Sequence, residues 1–272
     1  MQFLACPICD EPSPIVYLHP EARIHRCPKC THAFSDLVDS SFTEQYSAEY
    51  YEQVHRNWFA NPNIFLFRWI EGQLPRGARS LIDVGCGRGQ FLDFLRTARP
   101  NLRLVGVDLS SNEDRNGIEF HCGNILDIDL GTFDAVVSLA TIEHIADVGV
   151  FARRLASMSN SGGSVVVMTL DDSSLLYRVA RLGRLLGASI VFNRVYSAHH
   201  LHHFTKRSLG ELLERNGLRV EARLGHSVPI RAIDMPVKNA VIRPLMQSAC
   251  AVLLAVGNAT DAAYLQTVVA MA

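Results

Sequence analysis

Residues 80 to 99 read SLIDVGCGRGQFLDFLRTAR, and this stretch decides the fold. A short apolar run, Leu81 to Val84, ends in three glycines at alternate positions, Gly85, Gly87 and Gly89, and passes straight into a helical pattern. Glycine permits the tight turn and lets backbone come close to a ligand, while the helix that follows offers free N–H groups at its start. A dinucleotide loop would carry GxGxxG, whereas this one is GxGxG with an acid, Asp83, two residues before the first glycine. NLRLVGVDL (101 to 109) reads as the next strand, and its acid, Asp108, is placed for ribose hydroxyls in either kind of site.

Outward from this turn the chain alternates strands and helices. GIEFHCG (117 to 123), FDAVVSLA (133 to 140), GSVVVMTL (163 to 170), LRVEARL (218 to 224) and LQTVVAMA (265 to 272) complete seven strands. Continuous Val/Ile/Leu runs separated by helices mean a mostly parallel sheet covered on both faces, an α/β doubly wound fold. The chain divides into residues 1–40, a connector at 41–77 with Pro62 as a break between helices, and a main domain at 78–272 carrying a lid-like insertion at 171–205.

At 272 residues, 48% apolar and 19% charged, the chain has ample material for a core. Its 26 Lys and Arg balance 27 Asp and Glu, so no bulk positive field favours stable nucleic-acid binding. The longest uninterrupted apolar stretch, 249–257, is short of the roughly 20 residues that span a bilayer, so no transmembrane helix is expected. The N-terminus has no signal-peptide pattern, and a cytoplasmic location is expected.

Cys6-Pro-Ile-Cys9 and Cys27-Pro-Lys-Cys30 stand 17 residues apart, the spacing of a four-thiolate zinc site. Two knuckles facing each other close a tetrahedron with no open position, so the zinc is structural and residues 1–40 form a zinc-ribbon-like module. His25 and His32 are read as solvated neighbours of the second knuckle.

Asp83-Val-Gly-Cys-Gly-Arg-Gly89, Val-Asp108-Leu, Gly123-Asn124-Ile125, Phe133-Asp134-Ala-Val-Val-Ser138-Leu and Glu143-His144-Ile145 occur in that order. They resemble the successive motifs of class I S-adenosylmethionine-dependent methyltransferases over residues 78 to about 225. The resemblance implies a Rossmann-like seven-stranded methyltransferase sheet and an S-adenosylmethionine cofactor. It places Gly85, Gly87 and Gly89 under the methionine and ribose, Asp83 toward the methionine amino group, and Asp108, followed by Leu109, at the ribose. Asn124 would receive the adenine amino group, and Ser138 and Leu139 would border the methionine end.

Methyl transfer needs alignment, and a base when the acceptor carries a proton. Glu143 and His144 resemble the end of the ExxEH metal run of quinone-biosynthesis and small-RNA 3′-end methyltransferases, but Ala140 stands where the first Glu belongs. In SAHHLHHFT (197 to 205), His200 with Leu201, Phe204 and Thr205 matches an H-L-x-x-F-T segment that many bacterial members carry over the substrate pocket. One imidazole there is a candidate base, and equally Thr205 caps the next helix with the histidines packed beside it. SSLLYRVARLGRLLG (173 to 187) is expected to lie as a lid helix with its leucine face on the domain and its arginines solvated; the alternative is contact with a lipid-linked or phosphorylated acceptor. A zinc segment leading into aromatics such as Tyr46, Tyr50 and Tyr51 resembles bacterial small-molecule methyltransferases, including deoxysugar C-methyltransferases. A small-molecule acceptor is therefore expected, with a ribosomal-RNA base methyltransferase and a non-catalytic cofactor-binding scaffold as alternatives; the oligomeric state is left open.

Overall fold

The computed structural model describes residues 3–39, 56–233, 239 and 242–272. Strands β5 (Ser80–Val84), β6 (Arg103–Asp108), β7 (Ile118–Cys122), β8 (Phe133–Leu139), β9 (Ser159–Leu170), β11 (Arg219–His226) and β12 (Leu265–Met271) form one sheet in the order β11-β12-β9-β8-β5-β6-β7. β5 to β9 pair in parallel, and β12 runs antiparallel between β9 and β11. The chain winds outward from β5 through β6 to β7, then returns to β8 on the other side. Ligands of open α/β sheets bind outside the carboxyl ends of the strands at such a switch point, which here is the end of β5.

Alternate residues of each central strand feed opposite cores. Leu81, Leu104 and Val137 meet Leu66, Phe67 and Ile70 of α2 (Ile64–Gln73) and Phe91, Leu92 and Leu95 of α3 (Gln90–Ala98). Ile82, Val105 and Val136 meet Phe151 and Leu155 of α4 (Val148–Ser157) and Leu209 and Leu213 of α7 (Lys206–Arg215). A short α1 (Arg56–Ala60) precedes α2, with Pro62 in the break as expected; Tyr46, Tyr50 and Tyr51 lie outside the described residues.

The N-terminal strands β1 (Phe3–Ala5), β2 (Pro12–Leu18), β3 (Ala22–Arg26) and β4 (Ala33–Leu37) form an antiparallel sheet whose fifth strand comes from far along the chain. That strand, β10, is His202–His203, paired with Phe34 and Ala33 of β4. The N-terminal module and the insertion are thus joined through backbone. This corrects the reading of His25 and His32 as solvated, since both are fully buried. His25 Nδ1 donates to the Ser13 carbonyl at 2.9 Å, and His32 Nε2 shares a 3.0 Å hydrogen bond with His202 Nδ1.

The insertion carries α5 (Leu175–Leu185) and α6 (Ile190–Val195). Here the expected orientation fails for most of the leucine face, although Arg178 is exposed and Leu176 packs on the core. Tyr177 and Ala180 are the buried residues of α5, while Val179, Leu182, Leu185 and Leu186 are exposed. Arg181 is held against Asp172 at 3.2 Å and donates to Tyr196 Oη at 3.1 Å, and Arg26 of β3 reaches the same Asp172 at 2.7 Å. The buried Asp172 carboxylate needs cations, and that requirement outweighs the outward preference of one arginine. Helix α8 (Ile242–Ala259) has the length and apolar composition of a membrane-crossing segment although its longest uninterrupted apolar stretch is short; Leu254 and Gly257 are its buried residues.

His226 closes β11, with Nε2 2.9 Å from Thr267 Oγ1 and Nδ1 3.4 Å from Asn63 Nδ2, at the start of α2. Burial pushes its imidazole down from 6.5 to about 4. A lowered histidine contributes stability that is present above the unfolded value and lost as pH falls through the folded one. The fall from 6.5 to about 4 corresponds to roughly 3 kcal/mol. The stability advantage of the wild type over His226→Gln is therefore expected to shrink by about that amount between neutral pH and pH about 4. Denaturant unfolding of both proteins across this range checks it, and a constant difference would refute the assignment.

Candidate active site

The turn after β5 is shaped around space. Gly85, Gly87 and Gly89 have φ of 74°, 52° and 72°, conformations that side-chain-bearing residues rarely adopt. A Cβ on Gly85 would lie 2.7 Å from Thr141 Cγ2, and one on Gly89 would lie 2.7 Å from Phe120 Cζ. Gly106, one strand over, was not singled out in the sequence, yet a Cβ there would lie 2.8 Å from Leu92 Cδ1. Gly89 caps α3, so the first N–H groups of that helix open onto the turn. Gln90 Nε2 donates to the Phe59 carbonyl and Arg88 stacks over the Phe59 ring, which ties α1 to the turn.

Asp83 is buried, and its Oδ1 has no hydrogen-bond partner among the described residues. Burial, with Asp108 adding to it, holds this carboxyl up at about 8. Asp108 Oδ2 accepts from Gly87 N at 2.8 Å, while Oδ1 accepts from Ser110 N and Oγ at 2.9 and 2.7 Å. The acid expected at the ribose thus also clamps the glycine turn in place. Leu109 beside it is exposed. Asn124 is exposed and its Oδ1 accepts from Leu126 N at 3.0 Å, so the oxygen expected at the adenine also closes a local turn. Ser138 is fully buried with no partner for Oγ among the described residues, and Leu139 is half-buried at the strand end.

At the end of β8 a 3₁₀ turn, Ile142–His144, presents the two candidate residues differently. The structure places Glu143 inside rather than at the mouth: Oε2 accepts from Thr169 Oγ1 at 2.8 Å, and burial pushes the carboxyl up to about 7. Its carbonyl accepts from Leu201 N at 2.8 Å. His144 is half-buried, its Nδ1 donates to the His199 carbonyl, and its ring centroid is 5.1 Å from that of His200. Because a carbonyl only accepts, the neutral imidazole of His144 carries its proton on Nδ1 and its lone pair on Nε2.

The histidine cluster divides in two. His202 and His203 are buried in β10, where burial pushes the first down to about 4 and holds the second well below its ordinary value. They are structural, whereas His199 is exposed and His200 half-buried. Ser35 of β4, absent from the sequence reading, holds this segment. Its N donates to the Leu201 carbonyl at 2.9 Å and its Oγ to the His200 carbonyl at 3.0 Å. Thr205 caps α7 in a reciprocal box with Ser208, as its position before the helix had suggested.

Cys6, Cys9, Cys27 and Cys30 are buried with all four sulfurs within 4.8 Å of one another, and the Cys6–Cys30 and Cys9–Cys27 Sγ pairs are each 3.5 Å apart. A tetrahedral zinc with bonds of about 2.3 Å sets sulfurs about 3.8 Å apart, so the cluster fits the ion. Among the described residues no other set of three or more His, Cys, Asp or Glu side chains converges this way.

The chain spans 46% and 47% of the length of two curated relatives, the ubiquinone biosynthesis O-methyltransferases of Bradyrhizobium diazoefficiens and Azorhizobium caulinodans. It is 30% identical to the first over 39% of this chain and 34% identical to the second over 40%. Among solved structures, phosphoethanolamine N-methyltransferase 2 of Haemonchus contortus aligns with a TM-score of 0.59 at 14% identity, over 88% of this chain and 62% of that one. Geranyl diphosphate C-methyltransferase of Streptomyces coelicolor A3(2) aligns with a TM-score of 0.54 at 15% identity, over 94% and 93%. These two identities speak for the fold alone. The family model described as a methyltransferase domain matches residues 42–223, two thirds of the chain. With the glycine turn, Asp83 and Asp108 at the switch point of a seven-stranded sheet, the chain belongs to the class I S-adenosylmethionine-dependent methyltransferases.

Proposed function

We propose that the protein transfers a methyl group from S-adenosylmethionine to a hydroxyl of a small-molecule acceptor, and that its four N-terminal cysteines hold a structural zinc ion. The observation that carries this reading is the buried Asp83 Oδ1, without a partner among the described residues, beside three glycines of positive φ at the switch point. That is a cradle for a cationic ligand that must approach backbone. Two curated relatives are named as O-methyltransferases, which supports oxygen as the acceptor atom.

When bound, S-adenosylmethionine supplies an activated methyl on a sulfonium. Asp83 would take the methionine ammonium, ionising as it gains a cation, and Asp108 would hold the ribose hydroxyls while keeping Gly87 in place. His144 Nε2 would take the hydroxyl proton as the new O–C bond forms, with Nδ1 steadied by the His199 carbonyl. His200, 5.1 Å away between centroids, would line the same mouth. Zinc does no chemistry in this scheme, because four thiolates close its coordination.

Calorimetry tests the placement. Asp108→Ala removes a charged acceptor, which is expected to cost roughly 1.5–3 kcal/mol of S-adenosylmethionine binding, or about 10- to 150-fold. Unchanged affinity would refute the assignment, and failure of the wild type to methylate any phenolic or alcoholic acceptor while binding the cofactor would favour a scaffold.

A further inference from the structure

Two helices expose apolar stripes that ordinary packing would hide. On α5 and the turn after it, Leu182, Leu185 and Leu186 are 57%, 79% and 78% exposed, and Ile190 at the start of α6 is 68% exposed. On α8, Leu245, Ala249, Val252 and Val256 recur at spacings of four, three and four, which places them on one side of the helix, all exposed. The elements are joined: α5 packs on both α6 and α8, and Leu175 N donates to the Ala262 carbonyl just beyond α8. The stripes therefore belong to one end of the molecule.

The two segments that carry them are one-sided in charge, and the exposed Asp261 just beyond α8 is paired with Lys206. Residues 173–210 contain no Asp or Glu, and neither do residues 235–260, although the chain as a whole carries a net charge of −1. Arg178, Arg194 and Arg243 are exposed, and Arg184 stacks over Phe192 with its guanidinium carbon 4.5 Å from the ring centroid. We infer that this end of the molecule docks on an anionic lipid bilayer surface, with the α5–α6 leucines and the α8 stripe entering the headgroup region and the arginines pairing with lipid phosphates. Apolar side chains beside a basic rim suit an interface that is oily and negative at once. Self-association of the same face would set arginine rims against each other, with no acid in either segment to neutralise them. Docking would also reach the site, because the chain leaves α6 at Val195 and arrives at His200 five residues later.

Flotation of the full chain with lipid vesicles tests the inference. The wild type is expected to bind vesicles containing phosphatidylglycerol, to bind pure phosphatidylcholine much more weakly, and to be released by salt. Leu185→Glu with Leu186→Glu is expected to reduce binding at least tenfold, about the effect of two lost apolar anchors. These side chains are solvent-facing, so the fold is retained, and unchanged thermal unfolding documents it. Arg178→Gln and Arg243→Gln form an independent arm, each expected to cost about fivefold on anionic vesicles and little on neutral ones. Absence of wild-type binding to anionic vesicles, or equal binding by the leucine variant, would overturn the inference. So would a wild-type dimer that the leucine variant dissolves while neither protein binds vesicles. Vesicle binding needs no acceptor or turnover, so its outcome is separate from that of the proposed reaction.

Discussion

Cys27→Ser is expected to release the zinc, to lower the unfolding midpoint by roughly 10 °C or more, and to cut turnover while leaving S-adenosylmethionine affinity within about twofold. The first part follows from the donor set: four buried sulfurs with one removed leave an incomplete tetrahedron, and metal-binding energy is folding energy in such modules. A loss of roughly 4 kcal/mol corresponds to such a shift for a chain of this size. The split between turnover and cofactor affinity follows from geometry. Asp83, Gly85 and Asp108 belong to β5, its turn and β6, with no part in the N-terminal sheet. The His200 carbonyl and Leu201, by contrast, are held by Ser35 of β4, and β10 pairs with that strand. Loosening the knuckles frees the template on which the histidine segment lies. Metal analysis, thermal unfolding and calorimetry on one preparation check all three parts. A zinc-free variant with wild-type turnover would separate the module from the site.

The seven-stranded sheet was legible because its central strands are continuous apolar runs followed by a helix or a turn, and β11 alternates apolar with charged residues. Six strands begin within two residues of where the pattern places them, while β9 starts at Ser159 rather than 163. Its first residues, SNSGG, carry no apolar signal, and their pairing with β8 slips between Phe133 and Ala135. β10 was invisible for a different reason. Two histidines form a strand only because β4 offers Phe34 and Ala33 as partners, and periodicity within the chain contains no information about that edge. The same limit explains α5. Spacing divides a helix into an apolar and a basic side, but which side faces the core depends on Asp172, a buried acid that needs Arg26 and Arg181. The glycine turn itself lies at the strand end where the pattern puts it, since positive-φ glycines between a strand and a helix are written locally. Thr141, Gly106 and Ser35 were missed because they matter only for what stands opposite them in space.

Replacing His144 or His200 separates the two roles open to the mouth. If the acceptor hydroxyl must lose its proton as the methyl arrives, His144→Ala is expected to lower turnover by about 10²- to 10⁴-fold with cofactor affinity nearly unchanged. The donor from Nδ1 to the His199 carbonyl fixes the ring and leaves basicity at Nε2, so His144→Gln, which can still donate, should keep the fold of the mouth without restoring the rate. His200→Ala is expected to have the smaller effect, seen mainly in KM, because the His200 backbone, which Ser35 holds, survives the change. Glu143→Gln is the discriminating control. Its carboxyl is buried against Thr169 and held up at about 7, so an amide of the same shape should retain most activity if Glu143 only positions the turn. A loss equal to that of His144→Ala, reversed by no buffer or pH, would instead place Glu143 among the reacting groups. Full activity in His144→Ala would mean that alignment alone carries the reaction, which is the behaviour expected when the acceptor oxygen is already ionised on arrival.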